Sequence, residues 1–357
     1  QRPFAYSAPS GYSPLCTTLL PTPTIADGSD YFDVKTWSGT GAENTLTGFE
    51  FSPDMIWVKR RNNSTDWHNI TDTVRGATNT LYPNDTYVDT VASQNVKAFT
   101  SDGVTLGTFS GVNASGGTYV GWAWDAGSST VSNTDGSITS NVRANPSAGF
   151  SIVSYSSASN SVTVGHGLNA APEFIILKDR NNSYDWVVIT TLLANTTDYL
   201  VLNSTAASAD FGVDAPTSTT FTPSQSANSD YIAYCFAPVA GFSAFGSYEG
   251  NGSTTAGPFI YTGFRSRWLL IKRSNSTDNW AIYDTARDPE NRAESLLRPN
   301  TAGAEDSSDI YNRLDILSNG FKIRPDNATY GLNVNGGEFI YAAFAENPFQ
   351  ANGGLAR

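Results

Sequence analysis

Phe51-Ser-Pro-Asp-Met-Ile-Trp-Val-Lys59-Arg-Arg-Asn-Asn-Ser-Thr-Asp-Trp67 decides the fold, because the chain writes this stretch three times. The second copy is Ala171-Pro-Glu-Phe-Ile-Ile-Leu-Lys178-Asp-Arg-Asn-Asn-Ser-Tyr-Asp-Trp186. The third is Arg267-Trp-Leu-Leu-Ile-Lys272-Arg-Ser-Asn-Ser-Thr-Asp-Asn-Trp280. In each, an apolar run ends in a lysine, an Asn/Ser/Asp loop follows, and a tryptophan stands eight residues after the lysine. Short apolar runs of β-branched and aromatic residues bounded by such loops read as strands. The repeating unit is therefore strand, polar hairpin loop, strand, with the tryptophan opening the second strand.

The flanks recur as well. Tyr31-Phe-Asp-Val-Lys-Thr-Trp37, Ala148-Gly-Phe-Ser-Ile-Val-Ser-Tyr155 and Ala240-Gly-Phe-Ser-Ala-Phe-Gly-Ser-Tyr248 precede the three copies. Asp72-Thr-Val-Arg75 follows the first and Asp284-Thr-Ala-Arg287 the third, while Ile189-Thr-Thr-Leu-Leu stands at that place in the second. Phe99-Thr-Ser-Asp-Gly-Val-Thr-Leu106 matches Ile316-Leu-Ser-Asn-Gly-Phe-Lys-Ile323. Each unit closes on an aromatic strand: Tyr119 to Trp124, Tyr231 to Phe236, Phe339 to Phe344. A period of about a hundred residues is a domain size and too long for a solenoid.

The expected fold class is all-β: three tandem β-sandwich domains, jelly-roll or concanavalin-like, with an extended N-terminal arm. The arm covers residues 1–30, where Gln1 to Tyr6 reads as one strand and prolines 9, 14, 21 and 23 keep the rest extended. Repeat 1 runs over 31–127, a linker or surface excursion over 128–147, repeat 2 over 148–238, repeat 3 over 239–349, and a tail over 350–357. Asp102-Gly103 predicts a type I′ hairpin with positive φ, and Asp135-Gly136 a small exposed one. Pro289 to Leu297 predicts one or two helical turns after Asp288.

Composition narrows the partners. The 357 residues carry a net charge of −12, and only 15% are charged. An acidic chain lacks the basic face that nucleic acid needs, so no nucleic-acid partner is expected. No apolar run nears the roughly 20 residues of a membrane helix, so no membrane insertion is expected. Of the two cysteines, Cys16 and Cys235, the second lies in an aromatic strand and reads as a small buried hydrophobe. A first residue that is not Met reads as loss of an upstream part.

Longer stretches carry a resemblance. Gly250 to Phe264, the lysine-to-tryptophan stretch, Leu317-Ser-Asn-Gly-Phe-Lys322 and Tyr341-Ala-Ala-Phe-Ala-Glu-Asn-Pro-Phe349 resemble a repeat domain of tailed-phage tail-fibre and virion structural proteins, of the marine and cyanophage type. Val164-Gly-His-Gly-Leu168 with Ala171-Pro-Glu173 is similar to its middle repeat. The arm resembles the end of a concanavalin-like, SPRY-type domain that precedes such repeats. The resemblance implies a virion location, in a tail fibre or surface appendage. It also implies a homo-oligomer, a trimer foremost, and a host-surface glycan or protein as partner. It brings no catalytic residues and no cofactor, so no enzyme is expected.

The residues themselves leave several readings open. Lys59, Lys178 and Lys272 are either ligand contacts at loop tips or solvated edge lysines that blunt strand pairing. Trp67, Trp186 and Trp280 are either sugar-stacking platforms or one shared core position. The candidate ligand-binding residues lie in the loops: Asn62, Asn63 and Asp66, Asn181, Asn182 and Asp185, Asn275 and Asp278. Calcium is the metal such oxygens would take, but the Asp-x-Asp-x-Asp-Gly pattern is missing and Asx turns explain them without it, so no metal site is expected. His68 and His166 do not form a zinc or triad pattern. Sequons occur at Asn69, Asn84, Asn113, Asn203, Asn251 and Asn327. Two rival functions remain: a polymer-forming or decoration protein linked by strand addition, and a polysaccharide-degrading enzyme with paired carboxylates.

Overall fold

The computed structural model describes residues 24–195, 197–210, 212, 214–223, 227–324 and 331–348. The arm strand over Gln1 to Tyr6, Cys16 and the tail lie outside the described residues.

Each repeat builds one antiparallel sheet of the same order. An opening strand (Phe32–Ser38, Phe150–Ser157, Ser243–Glu249) pairs with a closing strand (Thr118–Trp124, Ser229–Phe236, Glu338–Pro348). The closing strand pairs with the lysine strand (Met55–Arg60, Phe174–Asp179, Phe264–Arg273). The lysine strand pairs with a return strand (Asn69–Asp72, Val187–Thr190, Trp280–Asp284). Residues 128–147, expected as a linker, instead hold the strands Thr130–Asn133 and Ser140–Asn145, which extend the sheet of unit 2.

Strand alternation gives every sheet two apolar faces. The outer face of unit 1 (Ile56, Val58) packs with Val104 and Leu106 of a three-stranded sheet that also holds Asn44–Leu46 and Val96–Thr100. Unit 3 has the matching three-stranded sheet of Phe259–Tyr261, Gly320–Ile323 and Leu314–Leu317, and unit 2 a two-stranded one. The inner faces meet each other. Met55, Trp57, Phe174, Ile176, Trp268 and Leu270 belong to one core cluster drawn from all three units.

The three closing-strand aromatics mark the centre of that core. Trp124 and Phe236 lie 6.2 Å apart, Phe236 and Phe344 5.7 Å, Trp124 and Phe344 5.8 Å. They stand at one repeat position, opposite Met55, Phe174 and Trp268 in the ladders. The units thus surround an approximate threefold axis inside a single chain. Edge-to-face and tilted pairs of this kind add about 0.5–1.5 kcal/mol each beyond burial.

Both ends of the ring come together. The 3-10 turn Gly28–Asp30 lies on the closing strand of unit 3, where a Cβ on Gly28 would stand 2.6 Å from the Ala345 carbonyl oxygen. Arg267 of unit 3 pairs with Asp33 of unit 1 at 3.0 Å.

Two local expectations need correction. Residues 289–297 form no helix: the Asp288 carboxylate takes the Glu294 and Ser295 N–H groups at 2.8 and 2.7 Å, and Leu296 and Leu297 make β-bridges. The Asp102-Gly103 hairpin is present, joining Thr100 to Gly103 across the ladder, but Gly103 does not adopt positive φ. Glycine is required there because a Cβ would lie 1.9 Å from the Leu46 carbonyl oxygen.

Candidate functional site

The three lysines are neither solvated nor offered to a ligand. Lys59, Lys178 and Lys272 are each 0% exposed. They stand two residues after the inner-face Trp57, Ile176 and Leu270 and share their face, so they point at the neighbouring unit. Lys59 Nζ donates to the carbonyls of Arg60 (2.9 Å), Asn63 (3.3 Å) and Asp66 (2.8 Å) in its own loop, and of Ala302 in unit 3 (3.0 Å). Lys178 donates to Asp179 (2.8 Å), Asn182 (3.1 Å) and Thr86 of unit 1 (3.1 Å). Lys272 donates to Arg273 and to Thr205 of unit 2 at 3.3 Å. Burial pulls each of these lysines down to about 8.

The ring N–H beside each lysine makes the second link. Trp186 Nε1 donates to Tyr82 O at 3.0 Å, and Trp280 Nε1 to Val201 O at 2.9 Å. In unit 1 the equivalent residue is His68 and not Trp67. Val58 pairs with Asn69, so the next step along the ladder sets Lys59 opposite His68. The His68 backbone N–H meets Asn84 Oδ1 (2.8 Å) as those of Trp186 and Trp280 meet Asn203 (2.8 Å) and Asn300 (3.0 Å). His68 Nε2 lies 3.2 Å from Arg298 O, and Nδ1 accepts from Trp57 Nε1 at 3.0 Å. That acceptor role fixes the proton on Nε2, so the imidazole imitates an indole N–H. Burial holds its pKa well below the usual histidine value. Unit 1 balances volume by exchange: Trp57 with His68 stands where Ile176 with Trp186, and Leu270 with Trp280, stand elsewhere.

The loop of unit 1 is one residue longer, which turns Trp67 outward onto Tyr82 (5.0 Å) and the half-exposed Tyr87 (5.6 Å). The shared core position expected for the three tryptophans therefore holds for Trp186 and Trp280 only. The residues that receive these links form a repeat that was not singled out in the sequence: Leu81-Tyr-Pro-Asn84-Asp-Thr86, Leu200-Val-Leu-Asn203-Ser-Thr205 and Leu297-Arg-Pro-Asn300-Thr-Ala302. Five residues beyond each asparagine, Asp89, Ser208 and Glu305 donate their N–H to the carbonyls of Arg180, Ser274 and Arg61, at 2.9, 2.8 and 2.8 Å.

Two of the three junctions add a buried polar network. At the unit 1–unit 2 junction Arg75 pairs with Asp72 (2.6 Å) and Asp89 (2.9 Å), Arg180 also holds Asp89, and Tyr234 donates to Asp72 at 2.7 Å. At the unit 3–unit 1 junction Arg287 pairs with Asp284 (2.6 Å) and Glu305 (3.1 Å), Arg61 holds Glu305, and Trp122 Nε1 donates to Asp284 at 3.0 Å. The third junction replaces every member at once: Thr190 for the aspartate, Leu193 for the arginine, Ala342 for the donor, Ser208 and Ser274 for the outer pair.

The candidate loop residues sit at the outer ends of these links and are engaged within the chain. Asn62 Oδ1 accepts from Arg60 and its Nδ2 donates to Gly116 O. Asn63 Oδ1 caps the Thr65 and Asp66 N–H groups, an Asx turn. Asp66 pairs with Arg60 and accepts from Ser110. Asn181 donates to Asp230, Asn182 to Asp179, and Asp185 accepts from Asn203. Asn275 bridges Arg273 and Gly336 O. The Asp278 carboxylate accepts one bond among the described residues, from the Asn279 backbone N–H at 2.8 Å. Among the described residues no three His, Cys, Asp or Glu side chains gather as a metal would require. The sequon residues Asn69 and Asn113 are fully buried, which closes them to a glycan in the folded chain, and Asn327 lies outside the described residues.

Residues 27–348 match the family described as Domain of unknown function (DUF7483). The chain belongs to that family. The DUF7483 match spans all three units, as a ring whose junctions depend on every member would require. No curated protein matches the chain.

Proposed function

We propose that this DUF7483 chain is a structural and attachment module of a phage virion: a distal tail-fibre portion built of three β-sandwich units, whose loops contact a host-surface glycan or protein. The supporting observation is the buried lysine under each loop. It ties Arg61 to Asp66, Arg180 to Asp185, and Arg273 to Asp278 both to their own strand and, through the lysine, to the adjacent unit. Loops held in this way lose little entropy on contact, and three copies at equivalent places around one axis suit weak multivalent recognition. Oligomerisation into a trimer would multiply the copies again. No helix among the described residues is long and apolar enough to cross a membrane.

The test is attachment of the purified chain to candidate host cells. One variant changes Asn62, Asn63, Asn181, Asn182 and Asn275 to Ser, and Asp66, Asp185 and Asp278 to Ala. Retained near-UV circular dichroism with lost attachment supports the reading. Retained attachment with retained fold removes the loops from it.

A further inference from the structure

The three loops differ in what lies beside them. In unit 1 Trp67 and Tyr82 pack edge to face and fill the space next to the return strand. Their repeat equivalents in unit 3 are Asn279 and Arg298, by the same alignment that equates His68 with Trp280 and Asn84 with Asn300. With both aromatics gone, a cleft of about 550 Å³ opens there. That volume lies within the roughly 300–1,000 Å³ of small-ligand sites. The buried Trp280 forms its floor.

The cleft holds a carboxylate with capacity left. Asp66, the equivalent of Asp278, is paired with Arg60. Arg273, the equivalent of Arg60, keeps the bond to the loop asparagine that Arg60 also makes, but no described cation pairs with Asp278. Burial raises the Asp278 pKa although Lys272, Arg273 and Arg298 oppose that shift. On the facing wall Arg298 donates to Asp309 at 2.9 Å, and Asp309 also accepts from Asn312 at 2.7 Å. Two guanidinium groups and two carboxylates cancel, so the walls favour neither an anion nor a cation. Planar carboxylate, guanidinium and amide groups pair with adjacent hydroxyls.

We propose that the unit 3 cleft is a binding site for a neutral saccharide, with the open oxygen of Asp278 accepting from its hydroxyl groups and Asn279 and Arg298 lining its sides. The proposal deepens the attachment reading and rests on it for the ligand class. The probe is a printed array of neutral hexose and N-acetylhexosamine oligosaccharides beside uronic and sialic acid glycans, read with the full chain. We expect retention on neutral glycans, lowered at least tenfold by Asp278→Asn and abolished by Asn279→Trp, which refills the space as unit 1 does. Asn279 is exposed, so the melting midpoint of Asn279→Trp should stay within a few degrees of the parent. No retained glycan, retention of acidic glycans only, or full retention by a folded Asn279→Trp chain would overturn the proposal. Cell attachment separates the two readings. Loss on changing the loops of units 1 and 2, with Asn279→Trp unaffected, rejects the cleft and keeps the multivalent reading. The opposite pattern keeps the cleft and rejects multivalency.

Discussion

Replacing Asp284 and Arg287 by the pair found in unit 2 tests whether the buried networks hold the ring or only satisfy themselves. Arg287→Leu alone leaves Asp284 with Trp122 and Glu305 with Arg61, but removes the only guanidinium shared between the two acids. It also strips a donor from the Ile282 and Ser295 carbonyls. Breaking a buried pair in this way costs about 3–5 kcal/mol. Asp284→Thr alone takes from the fully buried Arg287 the nearer of its two carboxylates and strands the Trp122 N–H, at a similar cost. The double variant reproduces Thr190 and Leu193, the apolar solution the chain already uses at its third junction. Its remaining cost is the Ser295 carbonyl and the Trp122 N–H left without these partners, about 1–3 kcal/mol each. The coupling between the two sites should therefore exceed about 3 kcal/mol. Urea unfolding followed by tryptophan fluorescence, with unchanged m-values, measures all four corners of the cycle. If the double variant costs the sum of the singles, the networks are not interchangeable with the apolar junction and the argument fails.

Trp57→Leu with His68→Trp transplants the pairing of unit 3 into unit 1. Each single change should cost about 1–4 kcal/mol, by cavity or by overpacking, and the double should recover most of it in the same assay. Gly103→Ala drives a methyl into the Leu46 carbonyl and should cost at least about 1–3 kcal/mol, read as a lower thermal midpoint. Stability should rise with pH between about 8 and 10, because the unfolded chain keeps the protons of Lys59, Lys178 and Lys272 that the folded ring releases near 8. The slope is at most about 1.4 kcal/mol per pH unit for each lysine. Above 10 it should reverse, since burial holds Tyr155, Tyr234 and Tyr248 protonated in the folded state only. Below 6.5 stability should fall, as unfolded His68 gains a proton that the buried ring refuses. Urea midpoints from pH 5 to 11 check all three slopes.

Much of this fold was legible in the chain. The three lysine strands, their loops and their closing aromatic strands were written in period-2 patterns, and the four-stranded sheets follow them. What was not legible was closure. A lysine at the end of an apolar run reads as exposed, because nothing local shows that a neighbour's carbonyls will enclose it. Trp67 misled because a one-residue insertion moves a side chain to the opposite face, and residue spacing alone cannot reveal which flank absorbed it. The Asn84, Asn203 and Asn300 repeat carried that information and went unread, since its Leu-x-x-Asn pattern is short. Residues 128–147 look like linker because their strands continue a sheet at its edge, where polar residues are the rule.

The contact of Gly28 with Ala345 has a mechanical meaning. Force applied at these two points enters the ring on one side, as the weight of a pendant is taken by its cord. Tension carried along such a cord would pull first at the narrow seam between the turn at Gly28 and the last strand. The aromatic centre lies just behind it, since Phe32 meets Trp124 at 4.8 Å and Phe344 at 5.0 Å, and would take up the load as soon as that seam had opened.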